Sequence, residues 1–485
     1  MVEHFKNEIL EVVITDMGEH GEGIGKADGY TLFVKDAVKG DVVEASLTKV
    51  KKNYAYARLV KIIEPSVYRS EPICREYKRC GGCQIQALSY EAQLRYKQEK
   101  VINSMVRIGG MDEEYINSIC ETIIGMDNPI RYRNKAQYPI GTDRDGNIIA
   151  GFYAGRTHSI ITCEDCMIGI EENKVILDII LTHMKNRMIQ AYDENTGRGL
   201  IRHVLIRKGF TSGQLMVCIV ISKPSKNGKE YIPGQEALTS ALSSVKGMTS
   251  ISVSINSAKT NVIMGDNVET IWGSDRITDE LLGVTFSISP LAFYQVNPIQ
   301  TQKLYSKAIE YADITKDDEV WDICCGIGTI TLCAAGRAGV VHGLEIVPQA
   351  IEDAKENARI NCVTNCDFIC AAAEDYMPKN SDNIKADIII MDPPRKGMDE
   401  SVLDVVAEAN PNRIVYVSCD PATLARDCAY LRQYGYEIKK MCPVDMFPQS
   451  VHVETVCLLV NQNAKAKQHV NVGIDAEDYY RIKNS

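Results

Sequence analysis

No stretch of 18 apolar residues occurs in this chain of 485, and its opening, MVEHFKNEILEV, brings acidic residues before any apolar run. Neither a membrane-spanning helix nor a secretory signal is expected, so a cytoplasmic location is. No internal repeat appears. Basic excess is also missing: the net charge is −10, which argues against a protein coated in nucleic acid but leaves room for a local basic groove. The 17 cysteines are odd in number and come without a signal segment, so a disulfide framework is not expected. Cys218, Cys333, Cys370 and Cys457 sit in apolar runs and read as small core residues. Neither a membrane nor an obligate protein partner is expected. A chain that is 45% hydrophobic and 24% charged reads as globular, and its length exceeds one core, so two to four domains are expected.

Over residues 1–62, short runs alternate apolar and polar residues between glycine turns, with no helical pattern. This reads as a small β-barrel of the oligonucleotide-binding type. Lys51, Lys52, Tyr54 and Arg58 interleave base and aromatic, which suits a surface that tracks a nucleic-acid backbone and stacks on its bases. Residues 63–270 begin with a cysteine-bearing loop, continue with a charged amphipathic helix over 88–107 and become a central α+β region. From 271 to 462, strand and helix alternate into a doubly wound α/β domain that ends in an antiparallel pair. Residues 463–485 read as a polar tail.

The α/β part carries the chemistry. DICCGIGTITL runs from Asp322 through Gly326 and Gly328 as strand, glycine turn and helix start, where backbone can pass close to a ligand. The next strand ends in Glu345, placed for the two hydroxyls of a ribose. A third dinucleotide-type glycine is absent, because Thr331 stands three positions after Gly328. That favours S-adenosyl-L-methionine over NAD. In MDPPRKG, Asp392 lies at a strand's C-terminal end, over the crevice where α/β ligands bind, before two prolines that stiffen the loop. In VYVSCDPATL, Cys419 follows a strand and precedes a helix start, a setting expected to favour thiolate and to offer amides to an oxyanion. Downstream, VHVETV supplies Glu454, a carboxylate base.

These motifs resemble those of the RNA uracil-C5-methyltransferase family that uses S-adenosyl-L-methionine, and in particular its 23S rRNA-modifying iron–sulfur branch. The resemblance runs from the N-terminal barrel, which would be a TRAM domain, to VHVETV. It implies a Rossmann-like class I methyltransferase fold for the C-terminal domain. It also implies Cys419 as nucleophile toward uracil C6, Glu454 as general base, and Gln295 (in FYQVN), Glu345 and Asp392 as cofactor contacts, with the run Asp322–Gly328 as the cofactor loop. Cys324 departs from the residue common in that loop. The implied substrate is 23S rRNA, with tRNA as the alternative and a non-catalytic RNA-binding protein as the reading from another class. The barrel and cysteine loop favour rRNA, although some relatives with both modify tRNA.

CREYKRCGGC places Cys74, Cys80 and Cys83 on one glycine loop, a metal or cluster signal that spacing alone leaves open between zinc and iron–sulfur. By resemblance the group is a [4Fe–4S] cluster, Cys166 of HSIITCEDC is the fourth ligand, and Cys163 is a packing residue or a bystander. Two basic runs, one holding Arg131 and Arg133 and the other Arg202 and His203, are expected to line an RNA groove. A uridine from folded RNA would have to flip out to reach a buried thiol.

Overall fold

The computed structural model describes residues 4–155, 157–223 and 230–463; almost all of the polar tail read in the sequence lies outside them. Five strands, β1 (Ile9–Met17), β2 (Gly23–Ala27), β3 (Tyr30–Lys35), β4 (Val42–Val50) and β5 (Tyr54–Glu64), close a barrel in the order β1-β2-β3-β5-β4. The alternation seen in the sequence fills it: Val12, Ile14, Leu32, Val34, Val43, Ala45, Leu47, Ala55 and Ala57 point inward.

The helix read over 88–107 is α1 (Tyr90–Arg107), capped by Ser89, and α2 (Glu113–Ile119) follows it. A seven-stranded central sheet is built from β6 (Lys135–Thr142), β7 (Ile148–Tyr153), β8 (Ile160–Thr162), β9 (Ile201–Lys208), β10 (Leu215–Ile221), β11 (Met248–Ile255) and β12 (Asn267–Gly273), in the order β12-β11-β10-β9-β6-β7-β8. Helices α3 (Glu172–Asn186) and α4 (Gln235–Ser243) pack on it. A hairpin, β13 (Ile277–Leu281) with β14 (Val284–Ile288), leads to α5 (Pro298–Ala312), whose Asn297 cap accepts from the Gln300 amide.

The C-terminal sheet comprises β15 (Glu319–Ile323), β16 (Val340–Glu345), β17 (Cys366–Cys370), β18 (Ile388–Met391), β19 (Arg413–Ser418), β20 (Tyr436–Val444) and β21 (Glu454–Asn461). Its order is β17-β16-β15-β18-β19-β21-β20, parallel up to β19 and antiparallel beyond. Helices α6 (Thr329–Ala335), α7 (Pro348–Ile360), α8 (Ala373–Lys379), α9 (Glu400–Glu408) and α10 (Pro421–Arg432) complete it. The strands are near-continuous apolar runs because helices cover both faces. Of the cysteines read as core, Cys218 and Cys457 are buried, Cys333 is partly buried, and Cys370 is exposed at the end of edge strand β17.

Helix α1 is not a charged surface helix. It packs on α10, with Gln93 and Lys97 buried. The Lys97 ammonium meets Asp445 at 2.5 Å and donates to the Phe447 carbonyl, while Gln93 exchanges hydrogen bonds with Gln449. Among the described residues no helix is long and apolar enough to cross a membrane.

Candidate active site

Four strand ends converge. Asp322 closes β15, Glu345 closes β16, Asp392 follows β18 and Cys419 follows β19, at the C-terminal edge where open α/β sheets bind ligands. Antiparallel β21 inserts beside β19 with Ser418 opposite Thr455 at the end of the register, and Cys419 and Glu454 are the residues next to that pair.

The glycine turn is shaped for a close approach. Cys324, Gly326 and Gly328 all have positive φ, and a Cβ at Gly326 would meet nothing within 4 Å, so this glycine supplies a left-handed turn beside open space. Glu345 braces the turn: its two oxygens accept from the amides of Gly326 at 3.1 Å and Val347 at 3.0 Å. Asp322 is fully buried; one oxygen accepts from the Thr331 hydroxyl at 2.6 Å and the other has no partner. Gln295 is buried behind this edge, and its carbonyl accepts from the Asn134 amide.

Electrostatically, buried carboxyls dominate the strand ends. Burial, and then Glu345, push the Asp322 carboxyl up to about 7. Burial, and then Asp322, do the same for Asp392. Glu454 is pushed up to about 8 by burial and by Asp392, with Arg395 opposing. The Cys419 thiol is pushed up to about 12 by burial and then by Glu454 and Asp392, again with Arg395 opposing. Burial and the neighbouring carboxyls thus oppose the thiolate that the helix start was expected to favour. Asp420 caps α10, and its own carboxylate takes the amides of Ala422 and Thr423, so those donors serve neither the thiol nor an oxyanion.

Cys419 opens into a cleft of about 590 Å³ between the barrel (Asp16–His20), α1 (Tyr96, Lys100, Arg107) and two loops, one bearing Arg395 and the other His452. Arg395 was overlooked in the sequence although it lies inside MDPPRKG, three residues after Asp392. Two supports hold this cleft. Asp427 accepts from the Tyr416 hydroxyl and the Met398 amide, and Arg426 donates to the Lys396 and Met398 carbonyls, which fixes the loop after Asp392. The loop before Glu454 is held by the Lys97–Asp445 pair, by Gln93, and by the Tyr132 hydroxyl on the Pro448 carbonyl.

The second cysteine group also converges. Cys74, Cys80, Cys83, Cys163 and Cys166 line one cavity of about 370 Å³. All are free thiols, and among the described residues no group of three His, Cys, Asp or Glu side chains stands close enough to hold a metal ion. Cys163 is buried in this cavity beside Cys166, as a packing residue would be.

The basic candidates separate. Lys51, Lys52 and Arg58 are exposed on the barrel, and Tyr54 packs edge-on against Phe33 and Tyr56. Arg131 is not a free surface cation; its guanidinium grips both oxygens of Asp165 and the Cys166 carbonyl. Arg202 is buried, donates to the carbonyls of Asn256 and Ala258, and lies over the Tyr192 ring, so it cannot line an RNA groove. His203 is buried as well, and both it and Arg133 line the thiol cavity.

A family model described as tRNA (Uracil-5-)-methyltransferase matches residues 89–462, and a TRAM domain model matches residues 4–60. An uncharacterized RNA methyltransferase of Clostridium tetani is 45% identical over 464 residues, spanning 95% of this chain and 98% of that one. A second, from Listeria innocua, is 44% identical over 455 residues, spanning 94% and 98%. Among solved structures, the Pyrococcus abyssi tRNA (uracil-54, C5)-methyltransferase in complex with S-adenosyl-L-homocysteine superposes with a TM-score of 0.73 at 26% identity, covering 93% of this chain and 100% of that one.

Proposed function

Because the chain belongs to the tRNA (uracil-5-)-methyltransferase family, we propose that it methylates C5 of a uridine in structured RNA at the Cys419 cleft. The observation that carries this is the placement of Cys419 and Glu454 beside the last β19–β21 pair, Ser418 with Thr455, close enough for Glu454 to act on the thiol and for Asp392 to act on both. Uracil C5 is a poor nucleophile until C6 is saturated. The Cys419 thiol gives up its proton to solvent, and its sulfur adds at C6 and leaves an enolate whose C5 is nucleophilic. Glu454 takes the C5 proton after methylation, and the sulfur then leaves by elimination as the C5=C6 bond re-forms.

S-adenosyl-L-methionine, when bound, supplies the methyl group and a sulfonium positive charge. The residues fit it: Gly326 faces open space, one Asp322 oxygen is buried without a partner, and three carboxyls await a cation. Asp322, Glu345, Asp392 and Gln295 would hold it. Cys74, Cys80, Cys83 and Cys166 would hold a [4Fe–4S] cluster, for which an all-thiol donor set is suited; its role would be to tie two loops together.

The comparison with the Pyrococcus abyssi enzyme favours tRNA. Its coverage of 93% of this chain is too large to omit the barrel over Ile9–Glu64, which removes the barrel as an argument for 23S rRNA. The five-thiol cavity favours the second reading, 23S rRNA, through the branch it resembles. Either RNA would place the protein in the cytoplasm. The deciding experiment supplies labelled methyl donor with tRNA and rRNA pools purified separately from cells lacking the enzyme. Label in tRNA alone supports the first reading, label in 23S rRNA alone supports the second, and label in neither contradicts the proposal.

A further inference from the structure

The thiol cavity has a second wall that the proposed chemistry leaves unused. It lies on the central sheet, where Gln137 stands opposite Leu205 and Pro139 opposite His203 across β6 and β9, so Lys135, Gln137 and His203 share one face. Arg133, two residues earlier, continues the row, and all four side chains line the cavity.

These groups lack partners. His203 is 6% exposed; its Nε2 lies 3.4 Å from the Tyr153 hydroxyl, and its Nδ1 is buried without a hydrogen bond. Among the described residues, none pairs with the side chains of Lys135, Gln137 or Arg133. Arg207, opposite Lys135, is taken up by the carbonyls of Ser289 and Ala292. The groups that act on Lys135 are both cations, Arg207 and Arg133, and with burial they pull its ammonium down to about 8. Arg133 acts on the Cys166 thiol, but no thiol is among the groups acting on Lys135. The thiols thus account for Arg133 and leave Lys135 uncompensated. A half-buried cation beside an orphaned ring nitrogen and a free amide requires an anionic, hydrogen-bonding ligand.

We propose that Lys135, Gln137 and His203 form a subsite for one nucleotide of the RNA, separate from the Cys419 cleft, with Lys135 on its phosphate and Gln137 and His203 on its base; this rests on the reading of structured RNA as substrate. Val296 closes the cavity on one side, next in sequence to Gln295, so RNA held here would approach the cofactor side of the site.

The test uses the full-length protein as isolated with its metal. Lys135→Gln removes the charge, Lys135→Arg keeps it, and His203→Gln probes the base contact. For each, RNA affinity by fluorescence anisotropy across a salt series, KM and kcat, S-adenosyl-L-methionine affinity and iron content are measured. Lys135→Gln is expected to weaken RNA binding about tenfold and flatten the log–log salt slope by about 0.7. kcat, methyl-donor affinity and iron should hold, and Lys135→Arg should recover the salt slope. RNA affinity and slope unchanged in Lys135→Gln, while the wild type methylates RNA, would overturn the subsite. Iron lost with RNA affinity unchanged would also overturn it, assigning the cation to the cluster. A wild type that methylates no RNA would instead defeat the functional reading, and anisotropy would still report on the subsite.

Discussion

Ser418 stands across from Thr455 at the end of β19 and β21, and the residues next to them, Cys419 and Glu454, bring a thiol and a buried carboxyl close enough for the one to act on the other. The order of the sheet, with β21 between β19 and β20, makes this neighbourhood. In the proposed reaction, one member bonds to the uracil ring and the other removes its proton.

Glu454→Gln separates those roles. The amide keeps the shape but cannot accept the C5 proton. Turnover is expected to fall by about 10²–10⁴, while the covalent protein–RNA species accumulates and becomes visible on denaturing gels. Loss of turnover without accumulation would place Glu454 before, not after, bond formation to C6.

The carboxyls of the free enzyme set a pH dependence. Asp322 and Asp392 titrate near 7 and Glu454 near 8, so at pH 7 they are partly protonated. An arriving sulfonium favours their ionised forms and lowers their pKa values, so its binding releases protons. Methyl-donor affinity is therefore expected to rise with pH between about 6 and 8. S-adenosyl-L-homocysteine, a neutral sulfide, should show a weaker rise. Calorimetry at pH 7 in buffers of different ionisation heat counts the protons, and equal counts for both ligands would contradict the charge argument.

Much of this architecture was legible in the chain. Alternation within residues 1–62 marked the barrel, and strand–helix alternation from 316 onward marked the α/β domain, because each pattern is local. What stayed hidden depended on partners far along the chain. Lys97 looked like one charge among many on a surface helix, yet its partner is Asp445. Arg202 looked basic and available, yet the carbonyls that take it come from Asn256 and Ala258. The thiol of Cys419 was misjudged for the same reason: burial and the distant carboxyls of Glu454 and Asp392 oppose the thiolate, while Asp420 occupies the amides of the helix start.

The buried Lys97–Asp445 pair gives a stability test. Lys97→Met leaves Asp445 charged and buried, with only the Tyr90 hydroxyl as side-chain partner, and is expected to destabilise the protein by about 3–5 kcal/mol. Adding Asp445→Leu should recover much of that loss in denaturant melts. A single variant as stable as the wild type would mean that the pair is dispensable.

Gly326→Ala probes the cofactor loop. With φ of +56° and no atom within 4 Å of where the methyl would sit, the new group strains the backbone by about 1–2 kcal/mol but touches no protein atom. Methyl-donor affinity should fall much further than stability. Equal affinity in the variant would place the ligand elsewhere.

The most direct measurement is the bond to sulfur. RNA carrying 5-fluorouridine is incubated with the enzyme and methyl donor; fluorine at C5 leaves no proton to remove, so the adduct cannot resolve. Mass spectrometry of the digested complex is expected to place the nucleotide on Cys419, and Cys419→Ala should form no adduct and retain methyl-donor binding. Methylation of ordinary RNA by that alanine variant, or an adduct on another residue, would contradict the covalent mechanism.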